Sequence, residues 1–173
     1  MDEARELSRR LDVGRLGGAV RTDRIDADVA ERAGLARRLA LDAILSLHAE
    51  TRTARLPGDG AIAVEGRLTA DVVQRCVVTL EPFSSRVTAE FRRVFTTAAS
   101  PVDREIVIDA ERDEPEPLDG DVVDLGEIVA EELALALDPY PRSPEADAAM
   151  RAFESEAEAS ARTEPSAATR RPH

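Results

Sequence analysis

A chain of 173 residues holds one domain with tails, or at most two very small domains. Its net charge of −12 opposes any broad coating of nucleic acid, because an acidic chain is repelled by phosphate unless its basic groups cluster on one face. Its single cysteine, Cys76, excludes an internal disulfide and fits a reducing compartment, and no run approaches the ~18–20 apolar residues of a membrane span.

There is no lysine, no tryptophan and one tyrosine, Tyr140, so the core has to be built from Ala, Val, Leu and Ile, and every basic side chain except the two histidines is Arg. The abundance of Ala and Arg together reads as a coding bias and is not by itself evidence for phosphate binding. The charge is unevenly spread. Residues 1–100 carry 16 Arg against 15 Asp and Glu, whereas residues 101–173 carry 7 Arg against 20. The opening Met1–Arg10 is charged and has no apolar core, which argues against a secretory signal and makes the cytoplasm the expected compartment.

In chain order, Glu6 to Val20 places Leu7, Leu11, Val13 and Leu16 among Gly14, Gly17 and Gly18 and reads as a short strand or turn region. Val20 to Ile25 suits a strand. Asp28 stands at a helix N-cap with Glu31 three residues on, and Val29, Ala33, Ala36 and Ala40 follow at helical spacing, which predicts a helix over about Asp28–Leu41. Ala43 to Arg55 suits a strand. Pro57-Gly-Asp-Gly60 is turn chemistry, and the alternation of Ile62, Val64 and Leu68 after it predicts a hairpin. A further strand is expected over Val72–Leu80, ended by Glu81-Pro82, then one carrying Val87, Ala89, Phe91 and Phe95, and a short one at Glu105–Asp109.

The acidic, proline-bearing stretch Asp109–Asp121 reads as an exposed loop. Asp124 caps a second helix with Glu127 three residues later; Leu125, Ile128, Val129, Leu133 and Ala136 form its apolar stripe, Leu135 and Leu137 broaden it, and Pro139 stops it. Ala146, Ala149, Met150 and Phe153 allow a helix in an otherwise acidic, Ala-rich tail, and residues 163–173 read as disordered. The expectation is an α+β domain over 1–144 with an antiparallel, possibly barrel-like sheet and two main helices, followed by a flexible tail over 145–173.

No catalytic constellation stands out. Cys76 shares its expected strand face with Val72, Val78 and Leu80 and reads as a small buried hydrophobe. A zinc site needs about four ligands, and no second cysteine exists. His48 has no carboxylate assigned to it by the sequence. The acidic group Asp109, Glu111, Asp113, Glu114, Glu116, Asp119 and Asp121 lacks calcium-loop spacing and reads as a solvated loop. What remains is arginine. Arg67, Arg75, Arg92 and Arg93 fall on expected strands and are the first candidates for contact with RNA or a partner, if they converge on one sheet face; the alternative is an ordinary solvated face. Stacking readout of single strands is disfavoured, because the phenylalanines read as buried.

Two stretches resemble the YceD family, also described as the large ribosomal RNA subunit accumulation protein. The first is Gly66-Arg-Leu-Thr-Ala-Asp-Val-Val-Gln-Arg-Cys-Val-Val-Thr-Leu-Glu-Pro82, followed by the Phe91/Phe95 strand; the second runs from Pro117 through Leu-Gly-Glu-Ile-Val-Ala-Glu-Glu-Leu to Pro141. Glu31–Leu39 is similar to the alphaproteobacterial branch, and the resemblance spans about residues 20–144. It implies a bacterial ribosome-biogenesis factor with no catalytic centre and no cofactor, whose partner is large-subunit rRNA precursor or a basic large-subunit ribosomal protein. Many relatives carry Cys-x-x-Cys in the first block; here Thr79 stands at the second position and Arg142-Ser-Pro-Glu145 offers no cysteine, so a metal is not carried over. The competing expectation is an rRNA-processing enzyme such as a metal-dependent nuclease, for which Asp109, Asp113 and Asp121 would be the acidic residues to change.

Overall fold

The computed structural model describes residues 6–58, 60–96, 115–118 and 120–163, the last ten of these by their backbone. Strands β1 (Arg10–Asp12), β2 (Arg21–Asp26), β3 (Ala43–Arg55), β4 (Ile62–Arg75), β5 (Pro82–Thr96), β6 (Glu116–Pro117) and β7 (Val122–Asp124) are joined by helices α1 (Val29–Arg38), α2 (Leu125–Ala136) and α3 (Pro144–Thr163). The main sheet has the order β2-β3-β4-β5-β6, antiparallel except for the β5–β6 pair. β1 and β7 form a separate antiparallel ribbon. The architecture is α+β as expected. Among the described residues the pairing is not closed into a barrel, and there are three α-helices where two main ones and a partly helical tail were expected.

Alternation sets the two faces of the sheet. Ile25, Leu47, Ala49, Val64, Leu68, Ala70, Val72, Phe91 and Phe95 face inward, where α1 and α2 cover them with Leu35, Ile128, Val129 and Leu133. A bulge at Leu45 in β3 allows Ile44 and Leu47, three residues apart, both to point inward. At Gly66 an added Cβ would lie 2.3 Å from the Phe91 ring, so the ring lies over a strand position that only glycine leaves open.

Helix starts follow the sequence closely. The Asp28 carboxylate accepts from the Glu31 N–H at 2.9 Å and the Glu31 carboxylate accepts from the Asp28 N–H at 2.8 Å, a complete capping box. α1 stops at Arg38, three residues before the expected end, and Ala40 follows in the left-handed region at φ 53. Asp124 accepts from the N–H groups of Gly126 and Glu127 and also from Arg9 N–H at 2.7 Å and Ser8 Oγ–H at 2.7 Å. The segment around Leu7 thereby crosses the first turn of α2 so closely that a Cβ at Gly126 would meet backbone atoms of Leu7 and Arg9 within 2.9 Å.

Several expectations are corrected. The strand expected over Val72–Leu80 is the end of the long β4, and Cys76–Glu81 is a tight turn in which Val78 and Leu80 face outward. Leu80 N–H bonds to Cys76 C=O at 2.8 Å and Cys76 N–H to Glu81 C=O at 2.9 Å, a closed turn that reverses the chain before Pro82. Leu135 is 79% exposed and lies off the apolar stripe of α2. Glu116-Pro117, expected in a loop, pairs with Phe95-Thr96 as β6. The expected Glu105–Asp109 strand and most of the acidic loop lie outside the described residues.

Candidate functional site

Among the described residues the outward face of the sheet carries no packed helix, and it forms a groove of about 870 Å³. Its lining comes from the outward positions of four strands, which antiparallel register places side by side. One row across the sheet reads Arg24, Glu50, Arg67, Glu90; the next reads Thr22, Arg52, Glu65, Arg92. The signs alternate from strand to strand. Ion pairs follow the rows: Arg24–Glu50 at 3.6 Å, Arg67–Glu90 at 3.8 Å and Arg92–Glu65 at 3.4 Å, all exposed. Further along the sheet Arg86 meets Asp71 at 2.8 Å, and the Arg86 guanidinium holds the Asp71 carboxyl below its usual range. Exposed pairs of this kind contribute little stability, about 0–1 kcal/mol each. Their effect is on the potential: Arg24, Arg67 and Arg92 each have a glutamate beside them, and with Arg52 they are matched in the lining by Asp26, Glu50, Glu65 and Glu90, so the groove offers an incoming phosphate no net positive charge.

The four candidate arginines do not come together on one face. Arg67 and Arg92 lie in the groove. Arg75 lies at the end of β4, bound to Asp42 at 2.9 Å and to the Leu80 carbonyl at 3.1 Å. Arg93 is on the opposite, inward face. It is held between Glu116 on β6 and Glu131 on α2, with its Cζ 5.5 Å from the Phe95 ring centroid. These carboxylates, Glu116 foremost, raise the Arg93 pKa against the opposing effect of burial. With 20% of its side chain exposed, Arg93 is a pin between sheet edge and helix.

The structure pairs two residues that sequence reasoning left apart. His48 Nδ1 is 2.5 Å from Asp26 Oδ1 in the groove, and the cross-strand partner of His48 on the other side is Thr69. Only the β2–β3 register places Asp26 opposite His48, and that register is not written in either residue's neighbourhood. Both side chains are more than half exposed, so water competes for the pair.

Cys76 is buried, as its sequence context indicates, though at the start of a turn. Its sulfur accepts from the Thr79 N–H at 3.5 Å and the Ser143 N–H at 3.4 Å. It therefore ties the β4–β5 turn to the segment before α3, where Val77 N–H also bonds to the Pro141 carbonyl at 2.9 Å. The Thr79 hydrogen bond pulls the thiol down to about 6 against the opposing effect of burial, helped by the N–H groups of Ser143, Thr79 and Val78. Among the described residues no three His, Cys, Asp or Glu side chains are placed to hold a metal ion. Of the acidic residues a nuclease would use, Asp109 and Asp113 lie outside the described residues, and Asp121 is exposed with its carbonyl accepting from Val13 N–H at 2.8 Å. No helix among the described residues is long and apolar enough to cross a membrane.

No curated protein and no solved structure matches the chain. A family model described as large ribosomal RNA subunit accumulation protein YceD matches residues 64–172. That span takes in nearly all of β4, the Cys76 turn, the Arg93 pin, α2 and α3, and it is more than half of the sequence; the chain belongs to the YceD family.

Proposed function

We propose that the chain is a non-catalytic factor in large-subunit biogenesis, and that it supports rRNA accumulation by holding a basic large-subunit ribosomal protein. The observation that carries this is the strand-by-strand pairing of charge on the open sheet face. With the four arginines of the groove matched in number by its carboxylates and Arg93 turned inward, this face offers RNA no net positive charge among the described residues. The excess negative charge of residues 101–173 attracts a cationic polypeptide instead. The family's name supports the link to large-subunit rRNA, and a bacterial cytoplasm is the compartment this role requires.

The test is sucrose-gradient fractionation of cells carrying a tagged copy, with binding measured on purified components. Salt-sensitive binding to a large-subunit ribosomal protein, without binding to naked rRNA, is the expected result. Salt-sensitive binding to rRNA alone would overturn it. The purified protein with magnesium is expected to leave precursor rRNA uncut; cleavage abolished by changing Asp109, Asp113 and Asp121 together would make it an enzyme.

A further inference from the structure

α3 is seated on the body of the protein by its first turn. Ala146 is buried, and the positions that continue its stripe at helical spacing, Met150 and Phe153, are uncovered, Phe153 to 72%. Helices in proteins draw most of their stability from packing an apolar face, and over residues 144–153 of this helix the buried side chain is that of Ala146 in the first turn. The Cys76 turn lies beside that beginning, joined to it by the bonds to Pro141 and Ser143. It too presents apolar side chains outward: Val77, Val78 and Leu80, with Tyr140 on the adjoining segment.

Leu80 is the most pointed of these. It sits in the left-handed region at φ 61, which favours glycine, with its side chain 67% exposed. The backbone conformation closes the turn, where Leu80 N–H bonds to the Cys76 carbonyl at 2.8 Å, but that role does not call for a large apolar side chain facing outward. Strained backbone that presents an apolar group to solvent is a feature of binding surfaces.

We infer that the Cys76 turn and the uncovered stripe of α3 form one docking surface, and that its occupant is an apolar-faced segment of a cationic protein. Charge selects the occupant. Residues 144–163 carry five Asp and Glu against two Arg, within a chain of net −12. A nucleic acid is repelled by that balance, and so is a second copy of the chain. A basic polypeptide is attracted, and the apolar side chains then fix its position. This rests on the reading that the protein holds a basic ribosomal protein, and it names the surface that does so.

The experiment titrates the full chain with each small basic large-subunit ribosomal protein of the same organism, purified singly, and with a polyarginine peptide as a purely electrostatic probe. Wild type is compared with Phe153→Glu, Leu80→Ser and the groove variant Arg67→Ala, each checked by circular dichroism for an unchanged fold. Phe153→Glu adds negative charge, so attraction by charge alone would strengthen. Apolar docking instead predicts about tenfold or more loss of ribosomal-protein affinity for Phe153→Glu and a smaller loss for Leu80→Ser. Polyarginine binding is expected not to fall, and Arg67→Ala to leave affinity unchanged. If a ribosomal protein binds all variants alike, the surface is wrong and the holding role stands. If none binds wild type while the tagged chain still supports rRNA accumulation, both fall. Self-association dispersed by Phe153→Glu, seen by sedimentation equilibrium, would make the occupant a second copy and overturn the assignment.

Discussion

Removing the Arg93 side chain leaves Glu116 and Glu131 without the cation they share, between a sheet edge and a helix. Arg93→Ala is therefore expected to lower stability by about 1–3 kcal/mol, discounted from a fully buried pair because both carboxylates are partly exposed. Arg67→Ala and Arg92→Ala, whose partners are exposed, should stay within about 0.5 kcal/mol. Urea unfolding of the three variants checks the contrast; equal losses would mean that Arg93 is no pin. Cys76 makes a pH-dependent contribution. Its folded thiol ionises at about 6, below the ~8.5 of an unfolded cysteine. The folded state thus favours the thiolate, a contribution complete above the unfolded value and lost as pH falls through about 6. The urea midpoint of wild type should gain from this thiol between pH 6 and pH 9, and Cys76→Ser should remove that part of the rise. Burial of Cys76 was legible from its apolar neighbours, but its hydrogen bonds to Thr79 and Ser143 were not, because they depend on where a turn begins and on a segment 67 residues away.

Among the elements, the helix starts were the most legible, because a cap and its partner lie three residues apart and both are visible in the sequence. Asp28–Glu31 and Asp124–Glu127 each begin a helix where expected. They differ in what else they hold. Asp28→Ala should cost about 1 kcal/mol, the usual value of a cap. Asp124→Ala also frees Arg9 N–H and Ser8 Oγ–H, so about 2 kcal/mol or more is expected. Thermal unfolding of the pair separates them, and equal costs would mean that the bonds to residues 8 and 9 contribute nothing. Strand ends were read less well. Val78 and Leu80 continue the apolar alternation of β4, and period alone extends the strand through them. What ends it is the closed turn around Cys76, whose bonds are made by backbone and carry no residue signature. Residues 144–153 fit a helix by period, but the stripe could not show that Met150 and Phe153 are left exposed among the described residues.

At the scale of the molecule, the α+β class followed from strands in series with short turns, and the two blocks that carry the family resemblance, 66–82 and 117–141, lie within the residues 64–172 that the family model matches, whereas residues 20–63 of the expected span lie outside it. The arrangement of the candidate arginines did not follow. Odd and even positions decide the face only while a strand's register is known, and Arg92 and Arg93, adjacent in sequence, were grouped although adjacency itself sends them to opposite sides. The strap formed by residues 6–12 ties the two ends of the described fold together through β1–β7, buried Leu7 and the Arg9–Glu31 pair at 2.7 Å. Deleting residues 1–9 should therefore destabilise the whole domain by about 3 kcal/mol, the sum expected for one buried leucine and the polar bonds. A lower urea midpoint with a single transition is the expected readout; a midpoint unchanged from wild type would mean the strap is ornamental.

That clasp also sets a schedule for synthesis. β1 is made well before its partner β7 and the α2 turn it crosses, which arrive more than 100 residues later. At roughly 5–20 residues per second, the nascent β3–β4–β5 hairpins wait several seconds with only α1 on their apolar face. The strap can close only after β7 and the first turn of α2 have cleared the exit tunnel. Newly made chains are thus most vulnerable to proteases and most dependent on chaperones in the interval before residue 126 emerges, and a slowed ribosome lengthens that interval for this protein in proportion.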